Sequence, residues 1–252
     1  MWISHATHSA PGERHNEDLV VTGPDFVVVL DGATQAAGVD TGCVHDVPWL
    51  VARLGGSLAQ LLLTQADDLT DLLAHAIRTV MAQHAPSCEL SNPDSPSTTV
   101  AILRRRGDAV DYLVLADSPI VLRDRAGAIT VVLDDRIDHL SGYTVEAVRE
   151  HRNVPGGFWV AGNAPQAADE ALTGSVEISQ LDCAGVFTDG ASRLVERHGM
   201  MWADLLDLLA GHDPEAVIRR VRAADHRMAG QHSGKTHDDA TAVLCRVAPR
   251  GS

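Results

Sequence analysis

Three carboxylates in this 252-residue chain stand at the ends of apolar runs. Asp31 closes Val27-Val28-Val29-Leu30 and is followed by Gly32; Asp189 closes Gly185-Val186-Phe187-Thr188 and is followed by Gly190; Asp238, beside Asp239, precedes Ala240-Thr241-Ala242-Val243-Leu244. A continuous β-branched run is the pattern of a strand buried on both faces, and Asp-Gly then turns the backbone out of the sheet. One Asp-Gly alone reads as an ordinary turn. Three acidic strand ends in one chain suggest a metal site, because hard cations such as Mg²⁺ and Mn²⁺ take oxygen ligands. Two such cations about 3.5–4 Å apart can clamp a phosphate and generate a hydroxide. Asp31, at the end of a rigid strand, is the candidate bridge between them. Gly32 has no side chain to keep its carbonyl from a cation.

The other candidates for chemistry are weaker. Glu17 and Asp18 read equally as a solvated loop, and Asp67-Asp68 as the acidic start of a helix. Cys43, Cys88, Cys183 and Cys245 stand singly, without a Cys-x-x-Cys pair, and read as reduced core or surface thiols. The 13 histidines match no zinc spacing and read as scattered surface residues. Trp2, Trp49, Trp159 and Trp202 read as core or half-buried packing residues.

The elements that would position the carboxylates alternate irregularly. Trp2 to Thr7 reads as a strand, and Leu19 to Thr22 with Phe26 to Leu30 as a hairpin across Gly23-Pro24-Asp25. Helical periodicity covers Val47 to Leu63 and Leu69 to Ala82, and Pro86 to Ser97 is a loop. Thr98 to Arg104, Val110 to Ala116, Ile120 to Arg123 and Ile129 to Leu133 read as a meander. Arg136 to Arg152 is helical in part, Phe158 to Ala161 is strand-like, and Gln166 to Leu172 forms a short helix. Strands at Val176 to Ser179 and Ala184 to Thr188 precede helices at Ser192 to Arg197, Trp202 to Leu209 and Pro214 to Met228, before a closing strand from Ala240 to Val247. The lack of strict βαβ alternation argues against a doubly wound parallel sheet. The expected class is α+β: two mainly antiparallel sheets stacked face to face with helices outside.

With 45% hydrophobic and 21% charged residues the chain is expected to fold rather than remain disordered. Residues 1–247 are expected to form one domain, with 248–252 a disordered tail. A net charge of −14 argues against nucleic acid or an anionic membrane as partner. No leader pattern and no segment approaching about 18 apolar residues is evident, so the expected location is cytoplasmic.

Taken in order, Asn16-Glu17-Asp18, Val28-Val29-Leu30-Asp31-Gly32, Ser97-Thr98-Thr99, Leu115-Ala116-Asp117-Ser118, Phe187-Thr188-Asp189-Gly190 and Asp238-Asp239-Ala240-Thr241 carry a family resemblance. From residue 14 to about 247 the chain resembles the metal-dependent PPM protein phosphatases, the type 2C serine/threonine phosphatases, in a divergent, bacterial-like form. The resemblance implies a four-layer αββα sandwich with two Mn²⁺ or Mg²⁺ ions between the sheets. It implies that Asp31 bridges the metals, with Glu17 and the Gly32 carbonyl on one and Asp189 and Asp238 on the other. Asp18 and Asp239 would stand behind these ligands, and Arg14 would bind the phosphate. A metal-bridging hydroxide would attack phosphorus in line, with no phospho-enzyme.

The chain also departs from the family pattern. Arg14 lies three residues before Glu17, where four is usual. Ala33 stands where some members carry a histidine suited to protonating the leaving group, and Thr34-Gln35 replace glycines. Asp117 matches one ligand of an additional metal, but Arg193 occupies the place of its partner and reads as a helix-surface ion pair or, alternatively, as a substrate-facing cation in place of that metal. Three functions follow: a phosphoserine/phosphothreonine phosphatase, a phosphatase for a small phosphorylated metabolite, or a catalytically silent binding module. The complete set of Glu17, Asp31, Asp189 and Asp238 counts against the last.

Overall fold

In the computed structural model, residues 1–12, 15–36, 38–140, 142, 144–228 and 236–248 are described. Among the described residues, ten strands form two five-stranded sheets, and every neighbouring pair of these strands is antiparallel. One sheet holds β2 (Asp18–Thr22), β3 (Phe26–Asp31), β4 (Val100–Arg106), β5 (Ala109–Leu115) and β8 (Leu172–Glu177), in that order. The other runs β1 (Trp2–His8), β10 (Ala240–Arg246), β9 (Leu181–Phe187), β6 (Ile120–Asp124), β7 (Ile129–Val132).

The uninterrupted apolar run of β3 has a direct cause in this stacking. Val27 and Val29 face the second sheet and pack with Ile120, Ala184, Val186 and Val243. Phe26, Val28 and Leu30 face the other way, beneath α1 (Val47–Thr64) and α2 (Leu69–His84). All five are buried. Each such side chain removed from water contributes about 1.5–3 kcal/mol, which holds the strand that ends in Asp31 rigidly in place. The outer face of the second sheet carries α4 (Asp189–Glu196), α5 (Trp202–Gly211) and α6 (Pro214–Arg227), through Leu194, Leu205, Leu206, Leu209 and Val221. The layers are therefore α, β, β, α.

Helix α1 begins at Asp46, whose carboxylate accepts the Trp49 N–H at 2.9 Å. Its 18 residues have the length and mean hydropathy of a membrane span, contrary to the sequence reading, yet Leu50, Leu54 and Leu58 are spent on the sheet and on α2. Gly55 allows the close approach: a Cβ there would come within 2.6 Å of Leu19 Cδ2.

Several expectations need correction. The four central strands are not one meander, since β4 and β5 lie in one sheet and β6 and β7 in the other. The chain changes sheets at Ala116-Asp117-Ser118-Pro119, where Ala116 takes a positive φ of 66° and its N–H donates to Asp134. Phe158 to Ala161 forms isolated bridges rather than a strand. With α3 (Val145–His151), it packs Phe158 and Val160 beside Ala116 and Val148. Strand β8 starts four residues and ends two residues earlier than its apolar pattern suggests, as an edge strand with an exposed face. Trp2 is 54% exposed rather than packed inside. Residues 249–252 of the expected tail lie outside the described residues.

Candidate metal centre

The carboxylates meet where the two sheets end. β2 and β3 pair so that Asp18 lies directly opposite Asp31. The backbone of Asp31 is held on its other side: its carbonyl accepts the Thr99 N–H at 2.9 Å and the Thr98 hydroxyl at 2.8 Å. Its N–H donates to Thr99 Oγ1 at 3.2 Å. From the second sheet, Asp189 opens α4, so that its N–H is among the orphan donors of a helix start and points at Asp31 Oδ2, 3.3 Å away. Asp31, Asp117, Asp189 and Asp238 line one cavity of about 400 Å³. Glu17 lines an adjoining cavity that shares Thr34 and Asp238 with the first.

Asp18 is buried behind Asp31. Its Oδ2 accepts the hydroxyls of Thr241 at 2.6 Å and Thr188 at 2.9 Å, tying the two sheets together, while its Oδ1 is buried with no hydrogen-bond partner. Burial pushes the Asp18 carboxyl up to about 7 despite those two hydrogen bonds, and Asp239 and Asp189 add to the rise. Burial raises Asp31 well above the ordinary carboxylate range, and repulsion from Asp18, Asp189, Asp117 and Asp238 adds to it. Asp117 is pushed up to about 7 by burial and then by Asp189. Asp239 lines the adjoining cavity and fixes the opposite loop, accepting the N–H groups of Glu17 at 2.6 Å and Ala10 at 2.7 Å. The Glu17 side chain takes a hydrogen bond from Thr34 Oγ1.

Two glycines have packing reasons of their own. A Cβ on Gly32 would lie 2.3 Å from Val47 Cγ1 and 2.8 Å from the Glu17 carbonyl oxygen. One on Gly190 would lie 1.7 Å from the carbonyl oxygen of Asp239. Close approach of neighbouring backbone therefore demands glycine at both positions, whether or not a cation binds.

Arg193 is the largest departure from the sequence reading. One helical turn beyond Asp189, it is not on the helix surface but buried, at 1% exposure. Its guanidinium reaches Asp238 at 3.2 Å, Asp189 at 3.8 Å and, on the α6 side, Asp225 at 3.8 Å. Asp225 also meets His198 at 2.8 Å and His237 at 3.4 Å. A residue four positions along a helix shares its face, so the register of α4 turns Arg193 inward as soon as the helix starts at Asp189. Residues to which the sequence reading gives no role, although they stand in its motifs, include Thr188 and Thr241, which bind Asp18, and Ser118, whose hydroxyl lies 2.6 Å from that of Thr99. Arg152 also lines the cavity, held by the carbonyls of Pro93 and Ser95. Arg14, read from the sequence as a phosphate ligand, lies outside the described residues.

The donor set fits divalent cations of the hard class. It consists of carboxylate oxygens converging from two sheets, Asp31 and Asp117 among them raised in pKa by burial and then by their acidic neighbours, with a buried oxygen of Asp18 left unpaired. Two stacked antiparallel sheets, outer helices and an acidic cavity at the strand ends define the class of αββα phosphatases.

The chain belongs to the protein phosphatase 2C family, whose model matches residues 15–223. No curated protein sequence matches it. Among solved structures, the PPM Ser-Thr phosphatase MsPP from Mycobacterium smegmatis, in complex with cacodylate, aligns with a TM-score of 0.63 at 17% identity, covering 98% of this chain and 99% of its own. The Mycobacterium tuberculosis serine/threonine phosphatase PstP/Ppp aligns with 0.59 at 17% identity, covering 96% and 97%. The serine/threonine phosphatase Stp1 from Staphylococcus aureus aligns with 0.61 at 13% identity, covering 98% and 94%. At these identities the likeness is one of fold.

Proposed function

We propose that residues 1–247 act as one metal-dependent phosphomonoester hydrolase whose substrates are phosphoserine and phosphothreonine in proteins. The observation that carries this reading is the convergence of Asp31, Asp117, Asp189 and Asp238 on one cavity, where burial and mutual repulsion raise the Asp31 carboxyl far above its ordinary range. Such a cluster is costly alone and becomes favourable around divalent cations.

Asp31 would bridge two Mn²⁺ or Mg²⁺ ions, with Glu17 and the Gly32 carbonyl serving one and Asp189 and Asp238 the other. When bound, the cations would activate water and offset charge on the phosphoryl oxygens. Asp18, held by Thr188 and Thr241, fixes Asp31 from across the strand pair. Asp239 fixes the loop that carries Glu17. Arg193 limits the repulsion between Asp189 and Asp238 and so keeps both aimed at the cavity. Arg152 gives the cavity a positive wall for an anionic substrate, in addition to the role proposed for Arg14. The MsPP structure, with its arsenic oxyanion, supports an anion site in this fold. The free cysteines are consistent with a cytoplasmic setting.

A second reading, hydrolysis of a small phosphorylated metabolite, is favoured by Ala33. An alanine side chain carries no proton for a leaving group where a histidine would, so a substrate with a good leaving group would be served best. The deciding experiment is hydrolysis of p-nitrophenyl phosphate with and without Mn²⁺, for the wild type, Asp31→Asn and Asp189→Asn, followed by phosphopeptides against phosphorylated metabolites. Mn²⁺-dependent turnover lost in both variants supports the hydrolase. A folded wild type that is inert with both Mn²⁺ and Mg²⁺ refutes it.

A further inference from the structure

Cys43 and Cys88 read from the sequence as unrelated thiols, yet the fold brings them together at the edge of the helical layer. Cys43 lies in the segment between Asp31 and α1, His84 is the last residue of α2, and Cys88 follows one turn later. One ligand atom from each of the three side chains lies within 4.8 Å of the others. Cys43 Sγ is 3.5 Å from His84 Nδ1. Zinc–sulfur and zinc–nitrogen bonds of about 2.3 and 2.0 Å at a tetrahedral angle put sulfur and nitrogen about 3.5 Å apart, so this pair already has the separation of two zinc ligands.

The surroundings suit the same role. His84 is buried, and its Nε2 has no hydrogen-bond partner. Burial, and then His45, lower its pKa, which keeps the imidazole neutral and able to ligate. The His45 backbone N–H donates to both sulfurs and that of Val44 to Cys88, an arrangement that favours thiolates. Without a cation the two thiols divide unequally: burial and the hydrogen bond with Cys88 push Cys43 up to about 11. For Cys88, burial is outweighed by hydrogen bonds from Cys43, Val44, Ser87 and His45, which hold it below the ordinary thiol range. The His45 ring stacks on Trp49 with centroids 3.9 Å apart, and lies 6.2 Å from the His84 ring.

We propose that Cys43, His84 and Cys88 form a binding site for zinc or a similarly soft divalent cation, with His45 or water as the fourth ligand. Sulfur and imidazole donors select such ions over the Mg²⁺ and Mn²⁺ preferred by carboxylates. Binding expels the thiol protons to solvent, and the two thiolates balance the two positive charges. The site would fasten the segment after Asp31 to the end of α2. Two hydrogen bonds already run alongside it: the Glu89 N–H donates to the Gly42 carbonyl at 2.7 Å, and the Asn92 side-chain Nδ2 to the Asp40 carbonyl at 3.0 Å. Because Thr34, Gln35 and Ala36 of that segment line the acidic cavity, the ion would stiffen one of its walls.

The test uses the whole chain, stripped of metal and kept reduced with a non-chelating phosphine, and titrated with Co²⁺ as a spectroscopic stand-in for zinc. The expected result is one equivalent of Co²⁺ giving a thiolate-to-cobalt charge-transfer band with the intense visible bands of four-coordination, both erased by added Zn²⁺. The charge-transfer band should vanish in Cys43→Ser and Cys88→Ser but persist in Asp31→Asn, since cobalt at carboxylates gives no such band. Cys88 is only half-buried, so Cys88→Ser alone decides the matter should Cys43→Ser fail to fold. Absence of the band in the reduced wild type, or its survival in Cys88→Ser, overturns the proposal. The band does not depend on phosphatase activity, so either reading can fail without the other.

Discussion

Asp18→Asn removes a charge that the metal-free fold holds at a cost. The Asp18 carboxyl is pushed from its ordinary 3.8 to about 7 by burial. In the window between those values the folded state keeps a proton that the unfolded chain releases, so stability falls as pH rises. The sign is opposite to that of a salt-bridged aspartate. At about 1.36 kcal/mol per pH unit, the cost is close to zero near pH 4 and grows to about 4 kcal/mol above pH 7. Asparagine cannot ionise and keeps an oxygen for the Thr188 and Thr241 hydroxyls, so the variant should be more stable than the wild type by about 2–4 kcal/mol at pH 8, with little gain at pH 4. Urea unfolding in the presence of a chelator, at both pH values, measures this directly. In saturating Mn²⁺ the gain should shrink, because cations beside Asp31 favour the ionised form of the Asp18 carboxyl opposite it. If Asp18→Asn lowers stability at pH 8 in chelator, or gains equally at both pH values, the placement of a costly carboxylate behind Asp31 is wrong.

Other substitutions test other parts of the site. Arg193→Met should destabilise the metal-free protein by about 3–5 kcal/mol, because it strips a buried ion pair from Asp238, Asp189 and Asp225; thermal melts in chelator would show it, and an unchanged melting temperature would contradict the pairing. Ala116→Gly should add about 1 kcal/mol in urea unfolding by relieving the positive φ at the sheet crossover, whereas a loss would mean that the Ala116 methyl packs usefully. Gly190→Ala should cost about 3 kcal/mol in the same assay, since its Cβ would meet the Asp239 carbonyl oxygen, and a neutral result would show that the turn carrying Asp238 yields freely.

Much of the architecture around the site was legible because it obeys local rules. The β2–β3 hairpin, the two long helices and the three acidic strand ends follow from alternation, turn residues and helical periodicity. What periodicity cannot tell is which sheet a strand joins. The crossover at Ala116 looks like any other turn in sequence, so β4 to β7 read as one meander. β8 is an edge strand with one face in water, and its few apolar residues misplaced it. Arg193 seemed a surface residue because the start of α4 decides its direction, and Asp189 as first helical residue was not evident from the run before it. Cys43 and Cys88 are far apart in the chain and meet only because α1 and α2 fold back on each other. Among the proposed ligands, Asp31, Asp189 and Asp238 stood out by position at strand ends. Glu17, which by itself reads equally as a solvated loop residue, enters the proposed ligand set through the family resemblance alone.

In the proposed centre, Asp31 joins two cations. Electron paramagnetic resonance of the chelator-stripped protein titrated with Mn²⁺ tests it most directly. Two Mn²⁺ per chain with the spectrum of an exchange-coupled pair are expected, with loss of the coupling in Asp31→Asn. A single bound Mn²⁺, or two giving only the uncoupled six-line signal, would contradict the bridge.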